Sequence, residues 1–225
     1  MMLPPKIFMD PTFIIELIYT LLVVLVCGII YFKTREAYKL TEYKGLKYFR
    51  NFFLFLGLAY LAKFFVSYSM IFGRDFRHFL MFSGYAQLFL LIMVYASSVA
   101  LVYLFYSLFW KKIKLKINEE ILIHIFALVI TLATLSFPKV FVLIQFIIFA
   151  LLVIAGVLEF RKKKSSKMYL IYFSIFGLWI ITNLAGLLSL TQFQGVLFIY
   201  GVTITLFFVL LFRALGDLDK NGKKR

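Results

Sequence analysis

Long apolar runs with few charges inside them recur along the chain, and they limit its fold more than any other feature. The sequence has 225 residues, of which 64% are hydrophobic, whereas soluble domains contain about 45–50% apolar residues. A helix needs about 20 mainly apolar residues to cross the hydrocarbon core of a bilayer. The sequence therefore predicts an all-α, polytopic protein of the plasma membrane, with multiple passes through the bilayer.

We predict seven spans, which together form one seven-helix membrane domain over residues 1–225, with a short basic tail at 213–225. The first apolar run is longer than the 7–15 residues typical of the core of a signal peptide, so it is taken as a true span. The third span is long enough that it must tilt or leave the membrane on one side. The predicted spans are Thr12–Phe32, Asn51–Phe72, Phe79–Trp110, Ile121–Ser136, Val140–Phe160, Met168–Ser189 and Gln194–Phe212.

The basic residues predict the orientation. Twenty of the 25 Lys and Arg lie in the loops and tail on one side of the predicted spans, four lie on the other side, and Lys63 lies within a span. Because basic loops remain in the cytoplasm, we expect the N-terminus outside and the C-terminus inside. The basic loop 33–50 is either an ordinary connector, which we favour, or an amphipathic segment on the anionic inner leaflet. Membrane lipids are thus the expected partners of these loops. The net charge of +15 is explained by their orientation in the membrane, so we predict no binding of nucleic acid.

Lys63 lies near the middle of the second predicted span. An intramembrane lysine costs about 2.5–3.5 kcal/mol on insertion scales, so such residues mark functional sites by default. With a rise of 1.5 Å per residue, Lys63 lies about 15 Å and Glu16 about 7 Å from the outer surface. The lysine stem can extend toward that carboxylate if the first two spans are neighbours. Tyr60 and Ser67 share the helix face of Lys63 and could solvate its amine.

These side chains predict an outward-facing polar pocket in the outer half of the bundle. Four further residues are candidates for its walls, namely Gln87, Tyr95, Trp179 and Asn183. The alternative is that polar residues only join helices by hydrogen bonds, each contributing about 0.6 kcal/mol. For Ser83 and Gln145 we favour this second role.

Sites for metals, cofactors or catalysis are not indicated, so we predict no cofactor and no enzymatic activity. His78 and His124 fall at opposite ends of the membrane and lack the spacings of zinc or haem sites. The tail sequence DLDKNG (217–222) matches only the first half of a calcium loop. No nucleophile has a neighbouring base, and the last predicted span lacks the lysine on which microbial rhodopsins depend.

The run YFKTREAYKLTEYKGLKYFRNFFLFLGLAYLAKFF (31–65) resembles the start of the seven-span sensory regions at the N-termini of many microbial histidine kinases and diguanylate cyclases. In those regions a short basic loop also follows a first span that starts outside, and the second span is aromatic. The order of seven spans with a cytoplasmic exit is similar over nearly the whole chain. No kinase, cyclase or coiled coil follows Phe212, so the resemblance implies a sensory module that acts through a partner.

We therefore expect a sensory or regulatory membrane protein that binds a small or lipidic ligand in the outer half and signals to a cytoplasmic or membrane partner. A small transporter or channel subunit, with Lys63 as the substrate or proton site, is the alternative. A structural subunit of a larger complex is a third possibility.

Overall fold

The described part of the protein is helical. The computed structural model describes residues 11–75, 79–109, 118–136, 143–151, 153–154, 177, 198–209 and 211–212. Among these residues, three helices are long and apolar enough to cross a membrane, over Phe13–Thr41, Lys44–Ser69 and Gly84–Ser107. The described part of the protein thus has the helical structure and the apolar helices of a membrane protein, as predicted. The helices are α1 (Pro11–Thr41), α2 (Lys44–Asp75), α3 (Phe79–Phe109), α4 (Glu119–Ser136), α5 (143–151) and α6 (Phe198–Val209).

The connection between α1 and α2 is only two residues long. Glu42 adopts the left-handed conformation with φ of 51°, and its amide donates to the Tyr38 carbonyl at 2.8 Å, which caps the end of α1. The segment 33–50, predicted as a connector or surface segment, is helical except at residues 42–43, because both helices continue through this region. Packing between α1 and α2 explains why the helices continue here. The Arg50 guanidinium of α2 lies over the rings of Tyr31 at 5.5 Å and Tyr38 at 5.7 Å in α1.

Helices α1 and α2 are antiparallel and closely packed. Phe13 near the start of α1 contacts Tyr68 near the end of α2, with ring centroids 5.8 Å apart. Midway along the pair, a Cβ built on Gly57 would lie 3.3 Å from Cβ of Cys27. Glycine at this position thus permits the close approach on which helix association in a membrane depends.

An aromatic core lies between α2 and its neighbours. Phe52, Phe53 and Leu56 of α2 are almost completely buried, and helix α2 packs most extensively against α3. The Phe65 and Phe89 rings stack with centroids 4.8 Å apart. Lipid tails are as apolar as these side chains, so tight packing rather than the hydrophobic effect stabilises this interface.

Polar side chains fix the ends and contacts of the later helices. The Asn118 side chain accepts a hydrogen bond from the Glu120 amide at 3.2 Å and thereby caps the N-terminus of α4. Gln145 of α5 is buried and donates through Nε2 to Ser97 Oγ of α3 at 3.1 Å. This bond confirms the predicted role of Gln145 in joining helices. Asp10, just before α1, and residues 137–139, just after α4, lie outside the described residues.

Candidate functional site: a charged and aromatic cluster between three helices

Helical periodicity directs one acidic and one basic side chain toward the bundle interior. On α1, Glu16 lies three residues before the buried Tyr19, and therefore shares the face that packs against α2. On α2, Lys63 lies three residues from both Tyr60 and Val66, which are also buried. Glu16 and Lys63 are each partly buried, so both charges lie at the helix interface.

Glu16 is held at this interface by α2. The Ser67 hydroxyl donates a hydrogen bond of 2.8 Å to Oε1 of the Glu16 carboxylate. Lys63 lies close enough for its positive charge to attract the same carboxylate. The carboxylate therefore has one hydrogen-bond donor and one neighbouring cation on the opposing helix, four residues apart on one face.

Helix α6 adds a second aromatic wall. The Tyr19 ring stacks on Tyr200 with centroids 4.3 Å apart and an angle of 11° between the planes. It meets the Tyr60 ring edge-on at 5.8 Å. The Tyr19 hydroxyl is buried and makes no hydrogen bond of normal geometry within the described residues, although Thr203 is a neighbour. The Glu16 cluster, as we call it, consists of Glu16, Tyr19, Tyr60, Lys63, Ser67 and Tyr200.

Four of the eight predicted site residues meet in this cluster, namely Glu16, Tyr60, Lys63 and Ser67. Tyr95 lies elsewhere, because its hydroxyl is hydrogen bonded to Nδ1 of His124 in α4 at 2.8 Å. Gln87 is exposed. Trp179 and Asn183 lie outside the described residues.

The position of Gln87 on α3 places its side chain on an exposed side of that helix. The Phe89 ring stacks on Phe65 of α2, and residues two apart on a helix do not face the same way. The depth of Gln87 along the span, from which it was predicted, does not fix the side of the helix on which it lies. The rotation of a helix about its own axis can be assigned only when a neighbouring helix is known.

Sequence reasoning missed Tyr19 and Tyr200 as members of the site. The signal for Tyr19 is its spacing of three residues from Glu16, which places both on one face. Tyr200 lies at a suitable depth in the last predicted span. However, no local pattern in the sequence shows that α6 packs beside α1.

A second group of polar contacts joins α2 to the start of α4. The Tyr48 hydroxyl donates to the Glu119 carboxylate, and Lys47 Nζ lies 2.5 Å from Glu120 Oε1. These carboxylates lie in the first turn of α4, where the helix dipole favours negative charge. We call Lys47, Tyr48, Glu119 and Glu120 the Glu119 cluster. The pairing of two residues from the basic stretch 33–50 with this acidic helix start was not predicted from the sequence.

Comparison with known proteins identifies one relative over almost the full length. The chain is 30% identical over 225 residues to a protein of Archaeoglobus fulgidus named "Uncharacterized protein", with 96% of this chain and 98% of that protein covered. The chain belongs to the same family as this archaeal protein. No model of a protein family matches the chain, and no solved structure matches it.

Metal binding finds no support in the described part of this family member. Within those residues there is no group of three or more His, Cys, Asp or Glu side chains that could hold an ion. The His124 ring lies among aromatic rings, 5.8 Å from Phe55, 6.1 Å from Tyr95 and 6.2 Å from Tyr103. Packing and one hydrogen bond therefore account for this histidine. His78 lies outside the described residues.

Proposed function

We propose that this protein is a sensory or regulatory protein of the plasma membrane that binds a small or lipidic ligand at the Glu16 cluster. In this proposal the chain crosses the membrane seven times, with the N-terminus outside and the C-terminus in the cytoplasm. The observation that carries the proposal is the Glu16 carboxylate, which accepts a hydrogen bond from Ser67 beside the charge of Lys63. Intramembrane charges of this kind are costly and mark functional sites.

The chemistry of the cluster supports binding of a polar group. A ligand with a positive group can pair with the Glu16 carboxylate, and a ligand with a negative group can pair with the Lys63 ammonium. Either contact would replace the attraction between the two side chains. The stacked Tyr19 and Tyr200 rings offer an apolar surface beside those charges.

Helix α2 provides the route for a signal. It carries Lys63 in one cluster and Lys47 in the other, sixteen residues apart, or about 24 Å along the helix axis. A shift of α2 caused by a ligand at the Glu16 cluster would alter the pairing of Lys47 with Glu120. Helix displacements of about 1–2 Å at interfaces are common in signalling transitions. In the proposed orientation the second cluster faces the cytoplasm, where a partner would respond.

A transporter or channel subunit with Lys63 as the substrate or proton site is the second candidate. Alternating access needs a path that opens to both sides of the membrane. Phe52, Phe53 and Leu56 lie between the two clusters on α2 and are 0–1% exposed. This tight packing within the described residues favours a sensor over a transporter.

The experiment compares the wild-type protein with Lys63→Met in a ligand screen. Small carboxylates, amines, amino acids and single-chain amphiphiles are added to detergent-purified protein, and the melting temperature is measured. We expect at least one compound to stabilise the wild type in proportion to its occupancy and to have no effect on Lys63→Met. Equal responses in a folded Lys63→Met protein would eliminate the site. Uptake of the same compound into proteoliposomes would instead establish the transporter.

A further inference from the structure

Two adjoining cavities lie at the end of the bundle that holds the Glu119 cluster. The first, which we call the head cavity, has a volume of about 270 Å³ and is lined mainly by polar groups of α2 and α4. Its charged lining consists of two ammonium groups, from Lys44 and Lys47, and two carboxylates, from Glu119 and Glu120. Among the described residues of this lining, positive and negative groups are therefore balanced in number.

The second cavity, which we call the tail groove, has a volume of about 250 Å³ and lies between α3, α4 and α5. Its lining is apolar throughout. Phe126 and Leu151, which form part of its rim, are 45% and 56% exposed, so the groove is open toward the surrounding lipid. The residues that matter here are Val102, Phe105, Tyr106, Leu122, Phe126 and Leu151.

The two cavities meet at a pair of tyrosines and at the first turn of α4. Tyr48 lines the head cavity and Tyr106 lines the tail groove, and their ring centroids lie 5.7 Å apart. On α4, Glu119 of the head cavity and Leu122 of the tail groove are three residues apart, an axial rise of about 4.5 Å. A single amphiphilic molecule can therefore reach both cavities.

We infer that these cavities together bind one zwitterionic phospholipid with a primary ammonium headgroup. The phosphate pairs with the ammonium groups of Lys44 and Lys47. The ammonium of the lipid pairs with Glu119 and Glu120, whose carboxylates have acceptor capacity beyond the bonds to Tyr48 and Lys47. One hydrocarbon chain fills the tail groove.

The charged lining of the head cavity and the apolar lining of the tail groove together select this occupant. An anionic lipid would meet two carboxylates without a cation of its own, which costs affinity through like-charge repulsion. A water-soluble zwitterion would leave the tail groove unfilled. This site lies at the opposite end of α2 from the Glu16 cluster, so the inference does not depend on the proposed function.

The test measures lipid binding to the full-length protein in detergent by the shift in melting temperature. The probes are dioctanoyl phosphatidylethanolamine, dioctanoyl phosphatidylcholine, dioctanoyl phosphatidylglycerol and the chain-free headgroup glycerophosphoethanolamine. We expect the ethanolamine lipid to give the largest stabilisation at equal concentration, and the chain-free headgroup to give none. The inference would be overturned if all three lipids raised the melting temperature equally, or if phosphatidylglycerol raised it most. It would also be overturned if the chain-free headgroup raised it as much as the ethanolamine lipid does.

Two variants with matched controls locate the site. Lys44 is exposed and makes no ion pair within the described residues, so Lys44→Gln leaves the fold intact. We expect this variant to bind the ethanolamine lipid about three- to fivefold more weakly, whereas Lys39→Gln, outside the cavity lining, binds normally. Leu151→Trp fills the tail groove and abolishes the lipid effect, whereas Leu128→Trp on exposed α4 surface does not. Unchanged binding in both Lys44→Gln and Leu151→Trp would refute the site.

Discussion

Removing the charge of Glu16 tests whether this carboxylate and Lys63 are coupled across the α1–α2 interface. Glu16→Gln keeps an oxygen that can accept the hydrogen bond from Ser67, which is 2.8 Å long in the wild type, and deletes only the negative charge. Lys63→Met removes the positive charge while keeping an unbranched stem. The double variant then gives the free energy of unfolding of the protein when neither charge is present.

The expected magnitude follows from the partial burial of both residues. Truncating one partner of a fully buried pair costs about 3–5 kcal/mol, and an exposed pair contributes about 0.2–1 kcal/mol. For this intermediate burial we expect Glu16→Gln to destabilise the protein by about 1–3 kcal/mol, because Lys63 loses the attraction that offsets its desolvation. In the double variant most of that loss is recovered, since no uncompensated charge is left inside the bundle.

The assay is a double-mutant cycle on reversible unfolding in mixed detergent micelles. We expect a coupling free energy of about 1–3 kcal/mol between the two sites. Lys39→Met, on the exposed end of α1, serves as the control and should show no coupling to Glu16→Gln. A coupling below about 0.3 kcal/mol for Glu16 and Lys63, which is within the range of additive changes, would refute the charge pairing.

Three further predictions concern stability at defined contacts, each measured by the same unfolding assay. Gly57→Val should destabilise the protein by about 1–3 kcal/mol, because a Cβ added at Gly57 would lie only 3.3 Å from Cβ of Cys27; an unchanged stability would show that the two helices can move apart without cost. Glu42→Gly should stabilise it by about 0.5–1 kcal/mol, because Glu42 has a φ of 51°; destabilisation would mean that the Glu42 side chain matters more than its backbone. Tyr48→Phe should cost about 0.5–1.5 kcal/mol through loss of the hydrogen bond to Glu119; a neutral change would show that water replaces the hydroxyl.

The helical class and one half of the candidate site follow from the sequence, because both depend on local periodicity. Apolar runs of about 20 residues predict membrane helices without any knowledge of neighbours. Likewise, Glu16 shares a helix face with Tyr19, and Lys63 with Ser67, by their spacing alone. The pairing of consecutive antiparallel helices then brings these two faces together.

The parts that could not be predicted depend on contacts between distant segments. The basic composition of 33–50 indicates exposure, but stacking of Arg50 on Tyr31 and Tyr38 continues the α1–α2 interface through this region. The stacking of Tyr200 on Tyr19 joins helices far apart in sequence. Such contacts depend on the order of helices around the bundle, which hydropathy does not encode.

The most direct test of the account is the accessibility of the Glu16 cluster to water from outside the cell. In a Cys27→Ala background, Ser67→Cys is exposed to a membrane-impermeant thiol reagent added to intact cells, and Leu58→Cys on the exposed face of α2, 42% exposed, serves as the control. The account predicts that Ser67→Cys is labelled from outside and Leu58→Cys is not, because a polar pocket admits water and lipid does not. Labelling of Ser67→Cys only from the cytoplasmic side, or equal resistance of both cysteines, would contradict it.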